Sequence, residues 1–143
     1  MPIRSLLGMQ LGIGVLTMLA SIAVAATSVA PTGGADSGWY SDAQAQQGHQ
    51  LFNNLCAQCH RPDLTGALGP PLVGPAFLQH WGNKPLGELY DFEHSQMPAV
   101  NPGSVPDAQM WPITAYILQR NGFPPGGTVL GPDTGAKRVL ATK

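Results

Sequence analysis

The only two cysteines of this 143-residue chain stand in the segment CAQCH, from Cys56 to His60, three positions apart and directly before a histidine. Two thiols and an imidazole at this spacing could form a redox dithiol, half of a zinc site, a short disulfide or the attachment site of a haem. Each of these chemistries needs different surroundings. The rest of the sequence therefore decides between them.

Three of the four chemistries lack the surroundings they need. A thioredoxin-like dithiol belongs to a strand and helix pattern, whereas Cys56 follows a predicted helix and precedes a proline-rich loop. The other three histidines form no second ligand pair for zinc, and a disulfide across two residues closes too small a loop to stabilise much. The motif C-x-x-C-H therefore predicts one haem c, attached through Cys56 and Cys59, with His60 as an iron ligand.

The composition indicates a single small domain with no basic surface. Charged residues make up 10% of the chain and the formal net charge is −1, which argues against nucleic acid as a partner. Glycine (18) and proline (14) are abundant, which favours long loops and short helices. An ordered region of roughly 80 residues has a marginal core, so a covalently bound haem is expected to complete it.

The first thirty residues predict export. Arg4 is the only charged residue before Asp36, and the apolar run LGIGVLTMLASIAVAA contains an A-x-A cleavage site, Ala23 to Ala25. We expect residues 1–25 to be a signal peptide, because the run is shorter than the roughly 20 residues that a spanning helix needs. Retention as a membrane anchor is the alternative. In either case the rest of the chain is predicted to lie in the periplasm.

The first helix is predicted directly after a flexible leader, residues 26–40, which is small, polar and glycine-rich. The segment SDAQ matches a capping box, with Ser41 as N-cap and Gln44 reaching back. The helix ends before Cys56 and carries Gly48 in the middle of its buried face. A glycine there costs about 1 kcal/mol relative to alanine, so we expect it to permit the close approach of another element.

The remaining elements are predicted from prolines, glycines and apolar periodicity. The dense prolines and glycines between 61 and 81 indicate a loop, and a short helix follows with Asn83 as its N-cap. The last helix runs from near Ser104 to Arg120, and Pro112 is expected to kink or break it. Residues 124–143 show no periodicity and are predicted to form an extended tail on the surface.

The chain resembles the class I cytochromes c from Ser41 to about Phe123. Members of that family carry a glycine and an aromatic residue eight and four positions before the first cysteine. They also have a GPxLxG loop, a later Met-Pro pair, and a final helix with a large apolar residue three positions before a tyrosine. The matching positions, in the same order, are Gly48, Phe52, Gly69 to Gly74, Met97-Pro98, Ile113 and Tyr116.

This resemblance implies an all-α cytochrome c fold, in which three to five short helices surround one covalently bound haem. The cytochrome c domain would cover residues 41–123. The resemblance also implies that the first helix crosses the last, with Gly48 and Phe52 against Ile113 and Tyr116. Such a crossing accounts for the close approach that Gly48 predicts.

The resemblance places the sixth iron ligand at Met97, in the loop after the short helix that is predicted to begin at Asn83. A thioether there raises the reduction potential and closes the iron to other ligands. Met110 is the rival methionine, but its position on the apolar stripe of the last helix favours a place in the core. His94 would give bis-histidine ligation, and His80 is a more distant alternative.

Further residues are candidates for contact with the haem or with its ligand. Pro70 matches the family's loop proline, whose carbonyl accepts a hydrogen bond from the second ring nitrogen of the axial histidine, here His60. The indole of Trp81 could donate to a haem propionate or could pack as an ordinary half-buried residue. Arg61 could pair with a propionate or stay exposed. The candidate apolar walls are Leu64, Leu72, Phe77, Leu78, Leu89 and Val100.

An iron that is closed on both faces predicts a one-electron carrier and not an enzyme, because no substrate can bind the metal. The stretch from Phe92 to Gly126 resembles cytochrome modules that accompany quinoprotein alcohol or sugar dehydrogenases. This implies such a dehydrogenase as electron donor, and a terminal oxidase or another cytochrome as acceptor. The alternative is a haem enzyme, or a gas or redox sensor, with a labile sixth ligand. A thiol oxidoreductase would instead need free cysteines.

Overall fold

The computed structural model describes residues 38–141, whose regular structure consists of five helices. In chain order these are α1 (Asp42–Leu55), α2 (Ala57–His60), α3 (Pro75–Trp81), α4 (Leu86–Gln96) and α5 (Asp107–Arg120). The described residues form no strand, and one isolated bridge joins Pro85 to Val139. The prediction of an all-α fold with three to five short helices is confirmed.

The predicted signal peptide, residues 1–25, and most of the predicted leader, residues 26–40, lie outside the described part of the chain. Both assignments stay predictions. Among the helices between residues 38 and 141, none is long and apolar enough to cross a membrane.

Helix α1 begins as predicted, but only half of the predicted capping box forms. The Ser41 hydroxyl accepts a hydrogen bond from the Gln44 backbone N–H at 3.2 Å, which satisfies one of the free donors at the helix start. The Gln44 side chain does not reach back. It pairs with the backbone of Leu130, donating to the carbonyl at 2.8 Å and accepting from the N–H at 2.7 Å. A buried amide that meets a tertiary partner of matching geometry satisfies both its donor and its acceptor there.

The close approach that Gly48 predicts occurs where α1 crosses α5. A Cβ atom on Gly48 would overlap the carbonyl of Pro112 and would lie 3.0 Å from the Tyr116 Cβ. One turn further along α1, the rings of Phe52 and Tyr116 are in contact, with their centroids 5.5 Å apart. The two helices are therefore packed backbone against backbone at this crossing.

Helix α5 is continuous through Pro112, and the expectation of a break there is wrong. Proline has no N–H, so the carbonyl four residues earlier, on Ala108, loses its helical partner. Ala108 is exposed, where water can replace that bond, while the residues from Met110 to Leu118 are all buried. Burial of this stretch offsets the missing hydrogen bond.

The segment between 61 and 81 contains helix α3, which the sequence reading missed. Pro75 is its first residue, and this position suits proline because its N–H would have no helical partner. Helix α4 begins at Leu86, and its N-cap is Pro85. The prediction of Asn83 as the N-cap is wrong, and Asn83 has a left-handed φ of 62°. Pro85 has φ −59° and ψ 139°, and a proline disfavours helical backbone in the residue before it, so the helix does not extend back towards Asn83.

The tail contains no helix, and most of its residues between 124 and 141 are exposed, but a few buried residues fix it to the helices. Leu130 and Leu140 are buried. Two backbone hydrogen bonds hold Leu140 in place. The Leu140 N–H donates to the Lys84 carbonyl at 2.9 Å, and the Leu140 carbonyl accepts from the Asn83 N–H at 2.8 Å. Isolated apolar residues without periodicity find their contacts only in the tertiary structure.

The end of the predicted leader is also packed. The Trp39 N–H donates to the Pro124 carbonyl at 2.9 Å, and the Tyr40 hydroxyl donates to the Phe123 carbonyl at 2.6 Å. Both aromatic side chains are buried, and the Arg138 guanidinium lies 3.9 Å from the centre of the Trp39 ring. The chain entering α1 is therefore fixed to the segment that leaves α5.

Replacing Gly48 with alanine is expected to destabilise the protein by roughly 3 kcal/mol, because the new methyl group overlaps the Pro112 backbone and α1 must move away. Denaturant unfolding of the haem-loaded protein measures this loss. Gly127→Ala is the matched control, since a Cβ there meets no atom within 4 Å and the residue has no left-handed φ. Equal stabilities of the two variants would contradict the close crossing.

Candidate functional site

A cavity of about 700 Å³ opens between the helices, and we refer to it as the central cavity. Its walls come from α1, α2, α3, α4, α5 and the loop that contains the GPPLVG segment. All six predicted site residues line it, namely Cys56, Cys59, His60, Pro70, Trp81 and Met97. The fold therefore brings together residues that are separated by up to forty-one positions in sequence.

The CAQCH segment lies where α1 ends and the short helix α2 turns away. The Cys56 N–H donates to the Phe52 carbonyl at 2.8 Å, which closes α1, and the His60 N–H donates to the Cys56 carbonyl at 3.0 Å. One helical turn thus presents both thiols and the imidazole to the same cavity. Cys56 and Cys59 are not joined by a disulfide.

The environment of Cys56 is unlike that of a redox dithiol. Burial raises the pKa of its thiol to about 12, and the nearby Glu93 and Cys59 add to the rise. A thiol that is neutral at pH 7 is a poor nucleophile. Cys56 therefore lacks the lowered pKa of a redox-active cysteine.

His60 is buried and held in one orientation from two sides. Its Nδ1 lies 2.8 Å from the Pro70 carbonyl, where an Nδ1–H donates to the oxygen. A Cβ on Gly69 would lie 2.6 Å from the His60 Cε1 atom, so the glycine allows the loop to pack flat against the ring. With Nδ1 engaged, Nε2 is the nitrogen left to bind a metal.

Met97 lies directly after α4 and lines the central cavity. Its backbone is extended, and its N–H donates to the Glu93 carbonyl at 3.1 Å, which ends the helix. Met110 also reaches the cavity, but it is a buried residue of α5. His94 does not line the cavity, because its Nε2 lies 3.1 Å from an Asp107 carboxylate oxygen.

Trp81 lines the central cavity and is half-buried. Its ring centre lies 5.0 Å from the Lys84 Nζ and 5.6 Å from the centre of the Phe92 ring. His80 lines the cavity beside it and is exposed, with its ring edge-on to the indole at 4.7 Å. Arg61 is exposed and lies 3.8 Å from an Asp63 carboxylate oxygen.

The apolar walls were predicted in part. Leu72, Phe77 and Leu89 line the central cavity, whereas Leu64 is buried in the core outside it. Val100 is 91% exposed and forms no wall, because the loop after Met97 turns outward. Side chains from α5 that were not predicted as walls, Ile113 and Ile117, also line the cavity.

Glu93 also lines the central cavity, and the sequence reading missed it. Its carboxyl is buried, and Oε2 accepts a hydrogen bond from the Thr114 hydroxyl at 2.6 Å, while Oε1 has no partner among the described residues. Burial raises the pKa of Glu93 to about 8, although the Thr114 hydrogen bond acts in the opposite direction. Glu93 follows Leu86, Leu89 and Tyr90 on one helical stripe, and this spacing could have revealed its inward position.

The cavity fits a haem. Within residues 38–141 no three His, Cys, Asp or Glu side chains cluster to hold a bare ion. A porphyrin brings four nitrogen ligands of its own, so it needs from the protein only axial ligands and apolar walls. The cavity offers one free imidazole nitrogen, a thioether, two thiols and mostly apolar walls. The fold and the site together define a c-type cytochrome that binds haem c.

Comparison with known proteins agrees with this class. The family model described as cytochrome C oxidase, cbb3-type, subunit III matches residues 43–117, and the chain belongs to this family of class I c-type cytochromes. A crystal structure of the sulfane dehydrogenase SoxCD from Paracoccus pantotrophus matches with a TM-score of 0.57 and 27% identity. That match covers 92% of this chain and 68% of the other. No curated protein matches the sequence significantly.

Replacing Glu93 with glutamine is expected to reduce the pH dependence of stability. The native pKa of about 8 lies above the ordinary value of 4.5, so the unfolded chain releases its proton first as the pH rises. The free energy of unfolding of the wild type therefore falls from about pH 4.5 to about pH 8, and this part of the fall disappears in Glu93→Gln.

Chemical denaturation of the haem-loaded protein at several pH values across this range tests the expectation. Glu88→Gln, an exposed carboxyl on the same helix, is the matched control and should keep the wild-type dependence. An unchanged slope in Glu93→Gln would show that Glu93 is not the responsible group.

Proposed function

We propose that the protein is a periplasmic one-electron carrier that accepts electrons from a dehydrogenase and passes them to a terminal oxidase or another cytochrome. The observation that carries this proposal is the presence of His60 and Met97 on the same cavity. When bound, haem c supplies reversible one-electron chemistry between its ferric and ferrous states.

His60 and Met97 would act as the two axial ligands. The Pro70 carbonyl fixes the His60 ring and increases its basicity, which strengthens it as a ligand. The Met97 thioether would raise the reduction potential and exclude exogenous ligands. Cys56 and Cys59 would anchor the haem covalently, and the indole of Trp81 is positioned at the cavity wall for a propionate or for packing. A protein with these roles has no open metal position and transfers electrons without binding a substrate.

A dehydrogenase is the donor that the comparisons support. The matching crystal structure is of a sulfane dehydrogenase, SoxCD, and the stretch from Phe92 to Gly126 resembles modules that accompany quinoprotein dehydrogenases. The periplasmic location rests on the predicted signal peptide, residues 1–25, and on the c-type attachment motif. We therefore place the donor in the periplasm as well, and a quinoprotein-type dehydrogenase is the first candidate.

Replacing Met97 with leucine is expected to abolish the near-infrared methionine-to-iron band of the ferric protein and to let the ferrous protein bind carbon monoxide at once. The reduction potential should fall, because the thioether is lost. Met110→Leu is the matched control: it keeps the band and costs less than about 1.5 kcal/mol of stability, since the two side chains have similar volumes. A wild-type protein that lacks the band and binds carbon monoxide immediately would favour the sensor or haem-enzyme alternative.

Stopped-flow mixing of the ferric protein with purified periplasmic dehydrogenases tests the donor. Reduction that depends on the dehydrogenase's own substrate, at a rate above its turnover number, is the expected result. Cys59→Ser, which leaves a single attachment point for haem, should yield less loaded protein but the same partner preference. Failure of every dehydrogenase to reduce a protein that is otherwise redox-active would contradict the proposed donor while leaving the carrier role intact.

A further inference from the structure

We propose that Glu93 and Thr114 form a buried latch between α4 and α5 that positions Met97 in the central cavity. The latch is the hydrogen bond from the Thr114 hydroxyl to Glu93 Oε2, at 2.6 Å. This inference rests on the proposed role of Met97 as an iron ligand. Neither latch residue is assigned as a ligand itself, and both are positioning residues.

The loop that carries Met97 connects α4 to α5 and has little anchorage along its length. Residues 99–104 are exposed, and Val105 is the first buried residue after Met97. The loop's own backbone bonds are local, from the Asn101 N–H to the Pro98 carbonyl and from the Ser104 N–H to the Asn101 carbonyl. The position of Met97 therefore depends on how the two helices are held at the base of this loop.

The latch lies at that base and connects directly to Met97. The backbone carbonyl of Glu93 accepts the Met97 N–H at 3.1 Å, while the side chain of the same residue bonds to Thr114. Thr114 is fully buried in the middle of α5, where its hydroxyl also lies 3.0 Å from the Met110 carbonyl. A shift of α4 along α5 that moved Met97 would break the latch.

A carboxyl in this place is unfavourable for stability alone. Glu93 is only 7% exposed, its Oε1 has no partner among the described residues, and most of the other residues that line the cavity are apolar. Burying a polar group that is only partly hydrogen-bonded costs free energy, and an apolar residue of similar volume would avoid that cost. A hydrogen bond, unlike an apolar contact, is directional and fixes the register of two helices. We therefore assign Glu93 to positioning.

A second polar contact joins the same two helices on the outside and provides an internal comparison. Asp107 accepts a hydrogen bond from the Tyr90 hydroxyl at 2.6 Å and lies 3.1 Å from His94 Nε2. The side chains of Asp107 and His94 are 73% and 37% exposed. The exposed ion pair contributes little, and the Tyr90 hydroxyl bonds to an exposed carboxylate at the first residue of α5, so Asp107→Asn measures how much the outer contact adds.

The experiment uses the haem-loaded protein and three substitutions. Thr114→Val removes the hydroxyl at nearly constant volume, and Thr114→Ser keeps the hydroxyl. Asp107→Asn weakens only the outer contact. The near-infrared methionine-to-iron band of the ferric form and the rate of carbon monoxide binding to the ferrous form report on Met97. Unfolding of each variant is measured in parallel.

We expect Thr114→Val to lose part of the band and to bind carbon monoxide roughly ten- to a hundredfold faster, which is the range for one lost hydrogen bond to a carboxyl. The rate of carbon monoxide binding in Thr114→Ser and Asp107→Asn should stay within about twofold of the wild-type rate. The serine keeps the hydroxyl of the latch, and the asparagine weakens an exposed contact that contributes little. A Thr114→Val protein that is destabilised but keeps the wild-type band and rate would overturn the latch.

Glu93→Leu separates positioning from stability. It removes the latch while replacing a partly unsatisfied carboxyl by an apolar group, so the protein should fold at least as stably as the wild type and still bind carbon monoxide faster. Wild-type behaviour of this variant would also overturn the latch. If the wild-type protein itself has no methionine-to-iron band, the proposed ligand role of Met97 fails instead, and the two failures are thereby distinguished.

Discussion

The contact on which the rest of the structure depends is the crossing of α1 and α5 at Gly48. Because no side chain separates the helices there, Phe52 of α1 meets Tyr116 of α5, and the two helices form one wall of the central cavity. The CAQCH segment follows the end of α1 and therefore takes its position from the same crossing. Packing of helix backbones thus fixes where the haem attaches.

The two residues proposed to bind the iron are held by a loop and by the end of a helix. The Pro70 carbonyl orients His60, and Gly69 lets the loop lie against the imidazole ring. Met97 depends on the end of α4, where a buried carboxyl contacts α5. One of the two residues proposed to bind the iron is therefore held by a local loop contact, and the other by the relation between two helices.

Much of the site could be predicted from the sequence. The features that could not be predicted lack a local sequence signal that distinguishes between alternatives. The attachment motif and the close approach at Gly48 depend on residues whose identity allows few alternatives, and the contact between Pro70 and His60 was implied by the resemblance to the class I cytochromes c. Helix α3, by contrast, contains too few residues to show a periodicity between flanking prolines and glycines. The Gln44 side chain could either cap its own helix or reach a distant backbone, and only the packed tail decides between the two.

By itself, the sequence determined the haem-binding chemistry and the order of the main helices, because C-x-x-C-H spacing and helical periodicity are local properties, and its resemblance to the class I cytochromes c implied the all-α class. Only the tertiary structure decided that the tail packs against α4, that Pro112 lies in an unbroken helix, and that the Gln44 side chain binds the backbone of Leu130. Each of these outcomes depends on contacts between residues far apart in the chain. The free energy gained by burying apolar side chains offsets the cost of polar groups that lose hydrogen bonds, and this gain is available only when the whole fold is assembled.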